Sequence, residues 1–249
     1  MKVYLNSISG IDDAFIALTM SKKHWNEGKD KELRDDCLIC LDHKGFYIPI
    51  EKNISRDFVG YHYVSFNQNM ERLTKWGCKH ITLLKFIDLS ITVEGLHRGG
   101  QDDWDSHAKR FDNRIVRNST RIKGVDYSYE MSDYYKGKII PTDLLLNQLD
   151  IELPEKIELD GKTYVKTING YILEGYKDNN DVKRGLYMLS IPSNFIFKIN
   201  LAEWAHVYKQ RNGTSGANPE VKECCELIAD ELYKANPFFT RELFNKIEN

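Results

Sequence analysis

The sequence has no long apolar run, no excess of either charge and little proline. No stretch reaches the roughly 20 consecutive apolar residues that a membrane-spanning helix needs. Met1–Gly10 lack the basic region and apolar run of a signal peptide, so we expect a cytoplasmic protein. Lys and Arg number 35 against 37 for Asp and Glu, and this near balance argues against wholesale binding to nucleic acid or to membranes.

Linkers, internal repeats and low-complexity segments are also missing. Hydrophobic residues make up 41% of the chain and charged residues 29%, the balance of an ordinary folded protein rather than a disordered one. With 249 residues the chain is long enough to bury a sizeable core. Since no boundary stands out, we predict a single domain over residues 1–249.

Cysteine is scarce, with five residues in no regular pattern. An odd number without a framework predicts reduced thiols, as in cytosolic proteins. Cys37-x-x-Cys40 could form half of a zinc site, but Cys224 and Cys225 are adjacent and suit no usual ligand spacing. We therefore expect the cysteines to pack as small hydrophobic residues.

The common nucleotide and hydrolase motifs are absent: the chain has no P-loop, no G-x-G-x-x-G and no G-x-S-x-G. The segment His97–His107 holds two His and three Asp, which are possible metal ligands. Their spacing fits no known site, and Asp103 and His107 lie one helical turn apart, as in an ion pair. We therefore predict no metal.

Hydrophobic periodicity and turn residues predict an α+β fold with mostly helical structure in the C-terminal half. The predicted elements are a strand at Val3–Leu5, a helix at Asp12–Trp25, a strand at Phe46–Ile50, a helix at Asn67–Trp76, a strand in the second half of Ile81–Val93, and helices at Asp103–Ile122, Asp143–Leu149, Asn180–Ser190 and Asn194–Gln210.

Two later segments carry stronger local signals. Lys156–Tyr176 alternates β-type residues with turn signals at Asp160-Gly161 and Asn169-Gly170, which predicts a β-hairpin or small meander. Asn218 followed by Pro219 is typical of a helix N-terminus. The predicted helix has an apolar stripe and is followed by a final short helix; the stripe consists of Val221, Cys225, Ile228 and Leu232.

Four arginines fall on one face of the helix predicted at Asp103–Ile122: Arg110, Arg114, Arg117 and Arg121. Like charges at this spacing repel unless an anion neutralises them, and the guanidinium fork suits phosphate. One interpretation is a phosphate-lined nucleotide site. The other is a solvated face whose arginines pair with nearby acids, namely Asp102, Asp103, Asp105 and Asp112.

The stretch from Asp181 to Arg211 resembles the C-terminal core of the flavin-dependent thymidylate synthases (ThyX). Arg184, Asn200 and Arg211 keep the family's intervals of sixteen and eleven residues, and Ala217 and Glu220 resemble the residues that follow. Eleven residues is about three helical turns, so Asn200 and Arg211 are expected on one helix face. The resemblance implies that Arg184 and Arg211 bind a pyrimidine nucleotide and that Asn200 and His206 contact flavin.

The N-terminal half resembles the family more weakly. Ser21 matches the end of an early helix, Cys78 and the nearby His80 match a Gly-His segment, and Arg98 closes a Gly-x-x-Arg match that begins at Gly95. The resemblance implies that Ser21, Cys78, His80 and Arg98 contact the cofactor.

The family signature R-H-R-x-x-S-x-N-E-x-S-x-R is degenerate in this chain. Ser106-His107-Ala108 stands at its R-H-R, and Ser119-Thr120-Arg121 resembles its closing S-x-R. By resemblance, His107 contacts the flavin, whereas Ser119 and Arg121 bind the nucleotide. Our hypothesis is that Arg117, with Arg110 and Arg114, supplies the missing charge.

The resemblance implies a ThyX-like fold, with a central antiparallel or mixed sheet flanked by long helices and an extra hairpin near 156–176. It implies an enzyme that methylates dUMP to dTMP with methylenetetrahydrofolate, FAD and NADPH, as a homotetramer with shared active sites. No side chain attacks the pyrimidine in this family, so no catalytic residue is predicted. Two alternatives are a related flavin- or nucleotide-dependent enzyme acting on another pyrimidine nucleotide and an inactive nucleotide-binding homologue.

Overall fold

The computed structural model of this chain describes most, but not all, of its residues. The described residues are 1–21, 25–26, 28–50, 58–107, 114–118, 133–135, 137–138, 140, 145–146, 148–167, 170–176, 191–213 and 218–247; of residues 58, 105–107 and 213 only the backbone is described. They fall into two compact units. The first comprises Met1, Glu94–Asp102 and Arg117–Phe195, and the second comprises Lys2–Val93, Asp103–Val116 and Ile196–Asn249.

The described residues of the N-terminal region form one strand and three helices. They are β1 (Lys2–Ser9), α1 (Ile11–Met20), α2 (Lys29–Cys40) and α3 (Phe58–Gly77). The helix α3 buries an apolar stripe at helical spacing, formed by Tyr63, Phe66, Met70 and Leu73. Phe66 packs edge-on against Phe15 of α1 with ring centroids 5.4 Å apart, which joins α1 to α3.

The middle of the chain continues with a 3₁₀ helix, a strand, a helix and a second strand. They are the 3₁₀ helix Ile81–Phe86, β2 (Asp88–His97), α4 (Arg98–His107) and β3 (Arg114–Arg117). Leu89, Ile91 and Val93 are fully buried at alternate positions of β2, as the predicted strand requires.

Three short strands form an antiparallel meander in the first unit: β4 (Lys156–Leu159), β5 (Lys162–Thr167) and β6 (Gly170–Leu173). Asp160 and Gly161 connect β4 to β5 and both have positive φ, 51° and 71°. Asp-Gly tolerates this conformation, so the turn signal in the sequence is confirmed as a hairpin turn.

The strand β7 (Pro192–Asn200) joins a four-stranded sheet with the order β1-β2-β7-β3. Three helices then complete the chain: α5 (Leu201–Gly213), α6 (Pro219–Ala235) and α7 (Arg241–Lys246). The Asn218 side chain accepts a hydrogen bond from the Glu220 N–H, and the predicted stripe of α6 is buried. Both predictions for this helix are confirmed.

Three predictions of secondary structure are wrong, and one helix was missed. The helix predicted at Asp103–Ile122 ends at His107, and Arg114–Arg117 is a strand. The helix predicted at Asn194–Gln210 is a strand as far as Asn200, because Phe195, Phe197 and Ile199 alternate toward the core. Phe46–Ile50 is no strand, since its β pairing among the described residues is an isolated antiparallel bridge between Tyr47 and Leu41. The helix α2 was not predicted.

The structure does not test all the predictions of secondary structure and domain organisation. The helix predicted at Asn180–Ser190 lies outside the described residues. Of the helix predicted at Asp143–Leu149, the structure describes 145, 146, 148 and 149, and the first three of these are helical. Within the described part of the chain, no helix is long and apolar enough to cross a membrane. The single domain over residues 1–249 remains a prediction.

Gly10 allows β1 to pass directly into α1. Its φ is 80°, and a Cβ at this position would overlap the backbone oxygen of Phe86. Gly28, which precedes α2, has a similar φ of 84° but open space where its Cβ would be. The two glycines thus share the left-handed conformation, and only Gly10 combines it with close packing against backbone.

We expect Gly10→Ala to destabilise the protein much more than Gly28→Ala. A left-handed conformation costs a non-glycine residue about 1–2 kcal/mol, so Gly28→Ala should stay within that range. Gly10→Ala must also displace the backbone near Phe86, so we expect a loss of at least about 3 kcal/mol. Urea unfolding of both variants measures the difference, and equal losses would contradict the role given to this contact.

Candidate functional site

Arg211 lies near the end of α5 and is bound by Asp103 of α4. Its Nη1 donates to the Asp103 carboxylate at 3.0 Å, and its Nη2 donates to the Asp103 backbone carbonyl. The side chain of Arg211 is 5% exposed and that of Asp103 is 33% exposed. Burial raises the pKa of the Cys225 thiol, and the Arg211 charge opposes that rise. The guanidinium is thus a buried charge with a carboxylate partner.

An aromatic cluster in the second unit holds α4 and α5 in place. Trp104, the neighbour of Asp103, is 2% exposed, and its ring centroid lies 5.2 Å from that of Phe197 and 6.2 Å from that of Trp204. Trp204 in turn packs edge-on against Phe244 of α7. This packing fixes the backbone on which Asp103 sits.

Asn200 is the residue at which β7 becomes α5. Its Oδ1 accepts a hydrogen bond from the Glu203 N–H at 2.9 Å, which caps the helix. Among the described residues, its Nδ2 has no partner and is available to donate. Asn200 and Arg211 lie on the same side of α5 to within about 20°, whereas the half-buried His206 lies about 120° round the helix from Asn200 and about 140° from Arg211.

The structure describes two of the four arginines that were predicted to form a stripe on a helix, and these two do not lie on a helix. Arg114 and Arg117 lie on a strand, and Arg114 pairs with Asp88 at 3.0 Å while 63% exposed. Arg117 is 17% exposed and donates to the Asp102 carboxylate at 3.0 Å and to the Gln101 carbonyl at 3.2 Å. The alternative interpretation, in which the arginines pair with nearby acids, therefore holds for Arg117, which pairs with Asp102.

Three of the predicted cofactor residues make local contacts in the second unit. The Ser21 hydroxyl donates to the Leu18 carbonyl, and the Cys78 thiol donates to the Thr74 carbonyl at 3.2 Å. His80 is exposed and stacks on Trp76 with ring centroids 6.2 Å apart. These contacts cap or extend the ends of α1 and α3.

Arg98 begins α4 in the first unit, next to a buried histidine. Its N–H donates to the Ile191 carbonyl at 2.9 Å. His97 is 4% exposed and meets the ring of Tyr135 edge-on, and Gly100 packs so closely on the His97 ring that no Cβ fits between them. The backbone of Arg98 is therefore firmly positioned.

The remaining predicted site residues are not described by the structure. Only the backbone of His107 is described, at the end of α4. Outside the described residues lie Arg110, Ser119, Arg121, Arg184 and Ala217. Of the predicted nucleotide-binding residues, the structure thus describes Arg211 and Arg117, each bound to an aspartate.

Comparisons with known proteins find relatives by structure and not by sequence. No protein-family model matches the chain, and no curated protein sequence matches it either. A crystal structure of ThyX from Helicobacter pylori with FAD and dUMP aligns with a TM-score of 0.55 at 11% identity, over 98% of this chain and 100% of the other. A second structure of that enzyme, also complexed with FAD and dUMP, gives 0.53 at 12% identity over 100% of both chains.

This chain has a ThyX-like fold. At 11–12% identity the likeness shows the fold and nothing of the chemistry. It confirms a ThyX-like fold of mixed helix and sheet, which is the coarser part of what the sequence resemblance implied. It leaves the roles of the individual site residues to be tested.

Within this ThyX-like fold, sequence reasoning missed a polar cluster between α2 and α3. Asp36 is fully buried and accepts hydrogen bonds from His62 Nδ1 at 2.7 Å and from the Ser65 hydroxyl at 2.6 Å. His62 and Ser65 are three residues apart on α3, a spacing that could have signalled a shared partner. The serine bonds to the aspartate and not to the histidine, so the cluster is not a hydrolase triad.

A cavity of about 540 Å³ lies beside this cluster, between α1, α2 and α3. Its lining is mostly polar and includes Glu32, Ser65, Asn69 and Arg72. Hydrogen bonds from Lys29 and Tyr61 lower the pKa of Glu32. None of the residues that line it was predicted as a site residue.

Four of the five cysteines pack in the interior, as the sequence predicted. Cys37, Cys40, Cys224 and Cys225 are buried free thiols, and burial raises the pKa of Cys40 to about 12. A thiol with a raised pKa is a poor nucleophile and a poor metal ligand at neutral pH. Among the described residues, no group of three or more His, Cys, Asp or Glu side chains could hold a metal ion.

Proposed function

We propose that this protein is a flavin-dependent thymidylate synthase-like enzyme that converts dUMP to dTMP. The observation that carries the proposal is the ThyX-like fold, which extends over 98% of this chain and 100% of an enzyme crystallised with FAD and dUMP. The sequence intervals between Arg184, Asn200 and Arg211 support it, because they match the family where the fold has its strand-to-helix junction.

The residues at this junction fit a flavin. Within the described part of the chain the Asn200 Nδ2 has no acceptor at the start of α5, while its oxygen is used by the helix cap. In the proposal Asn200, His206 and Arg98 hold FAD together with Ser21, Cys78, His80 and His107. FAD, when bound, supplies the redox chemistry between NADPH and the methylene group of methylenetetrahydrofolate.

The nucleotide is held by cationic and hydroxyl side chains in the proposal: Arg117, Ser119, Arg121, Arg184 and Arg211. Guanidinium groups suit the phosphate of dUMP, and they stabilise negative charge that develops on the pyrimidine ring. We further propose a cytoplasmic homotetramer with active sites shared between subunits. The degenerate R-H-R region at Ser106-His107-Ala108 belongs to this proposal as its main departure from the family.

A second candidate is a nucleotide-binding relative that acts on another pyrimidine or has lost catalysis. It is favoured by the aspartates that bind Arg211 and Arg117. Product analysis with dUMP and dCMP, each with methylenetetrahydrofolate and NADPH, separates the two candidates. Formation of dTMP from dUMP supports the first; a product from dCMP alone, or none from either, supports the second.

The first test is the visible spectrum of the protein as purified. We expect the absorption bands of an oxidised flavin and their bleaching when NADPH is added without oxygen. A colourless protein that takes up no FAD on dialysis against it would overturn the proposed flavoenzyme.

We expect Asn200→Asp and Asn200→Ala to separate the two roles given to Asn200. Asp keeps the capping oxygen but loses the amide donor, so we expect unchanged stability and FAD affinity lowered about tenfold. Ala loses both, so it should also lower the free energy of unfolding by about 1 kcal/mol. Flavin fluorescence titration and urea unfolding measure the two effects, and undiminished FAD binding by both variants would exclude Asn200 from the cofactor site.

A further inference from the structure

Asp103 binds the guanidinium group of Arg211. In the second unit, Arg211 is the residue that the proposed function assigns to the nucleotide. The carboxylate accepts from Arg211 Nη1 at 3.0 Å, and the backbone carbonyl of the same residue accepts from Nη2. A single residue thus supplies both an anionic and a neutral partner to Arg211. The cation is already neutralised before any nucleotide is present.

The two partners differ in how easily they can move. The backbone carbonyl is fixed, because Asp103 precedes Trp104, which is buried between Phe197 and Trp204. The carboxylate is attached by a single rotatable side chain, one-third of which is exposed. An incoming anion can therefore displace the carboxylate while the carbonyl keeps the guanidinium in place.

Displacing the Asp103 carboxylate from Arg211 costs free energy because the incoming nucleotide is also an anion. A nucleotide phosphate must replace an existing charge-assisted hydrogen bond and then lie near a displaced carboxylate of the same sign. A neutral nucleoside has to replace this hydrogen bond only if it binds Arg211 itself. Because it carries no charge, the displaced carboxylate does not repel it. The charge of Asp103 thus acts on one class of ligand more than on the other.

We infer that Asp103 is a specificity-determining residue that competes with the anionic group of a pyrimidine nucleotide for Arg211. This inference rests on the proposed function, which makes Arg211 a nucleotide ligand. Asp103 holds Arg211 when the site is empty and lowers the affinity for nucleoside monophosphates. Its carboxylate leaves Arg211 when such a nucleotide binds.

The test compares the affinities of dUMP and deoxyuridine for the FAD-loaded protein by calorimetry at constant ionic strength. Asp103→Asn keeps an oxygen acceptor for Arg211 and removes the charge, so we expect dUMP affinity to rise about tenfold and deoxyuridine affinity to change little. Asp103→Glu keeps the charge and should keep the low affinity. Asp13→Asn, at a carboxylate 53% exposed on α1, is the control for net charge and should change neither.

Each result is decisive. A rise in dUMP affinity confined to Asp103→Asn supports the inference. Binding of dUMP that is the same in wild type and Asp103→Asn overturns it and leaves the proposed function standing. Failure of all the proteins to bind dUMP overturns the proposed function itself.

A measurement on the wild-type protein covers the case in which Asp103→Asn does not fold. The guanidinium ¹⁵N signals of Arg211, assigned with the conservative variant Arg211→Lys, should move when dUMP saturates the protein and stay in place with deoxyuridine. Signals that remain unchanged at saturating dUMP would show that Asp103 keeps Arg211, and the inference would be wrong.

Discussion

Replacement of His62 by alanine is expected to lower the free energy of unfolding by about 3 kcal/mol, because it removes a buried hydrogen bond and leaves a cavity. Asp36 is fully buried and has His62 as a partner at 2.7 Å, so the variant leaves a buried carboxylate without its ring donor. Urea unfolding followed by circular dichroism measures the loss. A loss below about 1 kcal/mol would contradict a buried hydrogen bond that joins α2 to α3.

Ser65→Ala is the matched control for this prediction. It removes the other hydrogen bond to the same carboxylate, at 2.6 Å, and should cost about 1.5–3 kcal/mol. The double variant Asp36→Ala with His62→Ala removes both groups together. We expect it to be less damaging than the sum of the single variants, because neither partner is then left buried alone.

The second large effect is expected from Arg211→Met, on stability and on nucleotide binding together. Methionine preserves the packing of the buried stem but leaves Asp103 without its cation. Breaking a buried ion pair lowers the free energy of unfolding by about 3–5 kcal/mol. Because Asp103 is partly exposed, we expect the lower end of this range, about 3 kcal/mol. In the proposed function the same variant also weakens dUMP binding by about a hundredfold.

Arg114→Met tests whether burial is the cause. Arg114 also pairs with an aspartate, Asp88, at the same distance of 3.0 Å, but its side chain is 63% exposed. An exposed pair contributes about 0–1 kcal/mol, so this variant should be near neutral in unfolding and in dUMP titration. Equal losses for Arg114 and Arg211 would contradict the distinction between them.

The sequence predicted best those elements that local chemistry determines. The turn at Asp160-Gly161 needs positive φ at both residues, and few other residue pairs accept it. The start of α6 is determined by Asn218 and Pro219, and its stripe by residues that are buried in the structure. No distant contact is needed to recognise either signal.

Elements whose stability depends on distant partners were harder to predict. The helix α2 is mostly charged, with Leu38 77% exposed, and it is held by a few buried residues such as Leu33, Cys37 and Cys40. Arg114–Arg117 has helical spacing between its charges, but pairing at the edge of a sheet makes it a strand. In both cases tertiary contacts outweigh the local pattern.

The roles of the candidate site residues stay predictions. These residues were chosen from sequence intervals that resemble those of the family. What the intervals could not reveal was the partner of each cation. That Asp103 binds Arg211, 108 residues further along the chain, follows only from the packing of α4 against α5.

The junction at Asn200 makes the chain unusually intolerant of changes in length. Asn200 is the last residue of β7 and the cap of α5, and the next N–H, that of Leu201, is bonded to the Ile87 carbonyl. One residue inserted into the strand would exchange its two faces, and one inserted into the helix would turn Arg211 by about 100°. Natural variation in this stretch should therefore be substitutional, with insertions and deletions confined to the loops on either side.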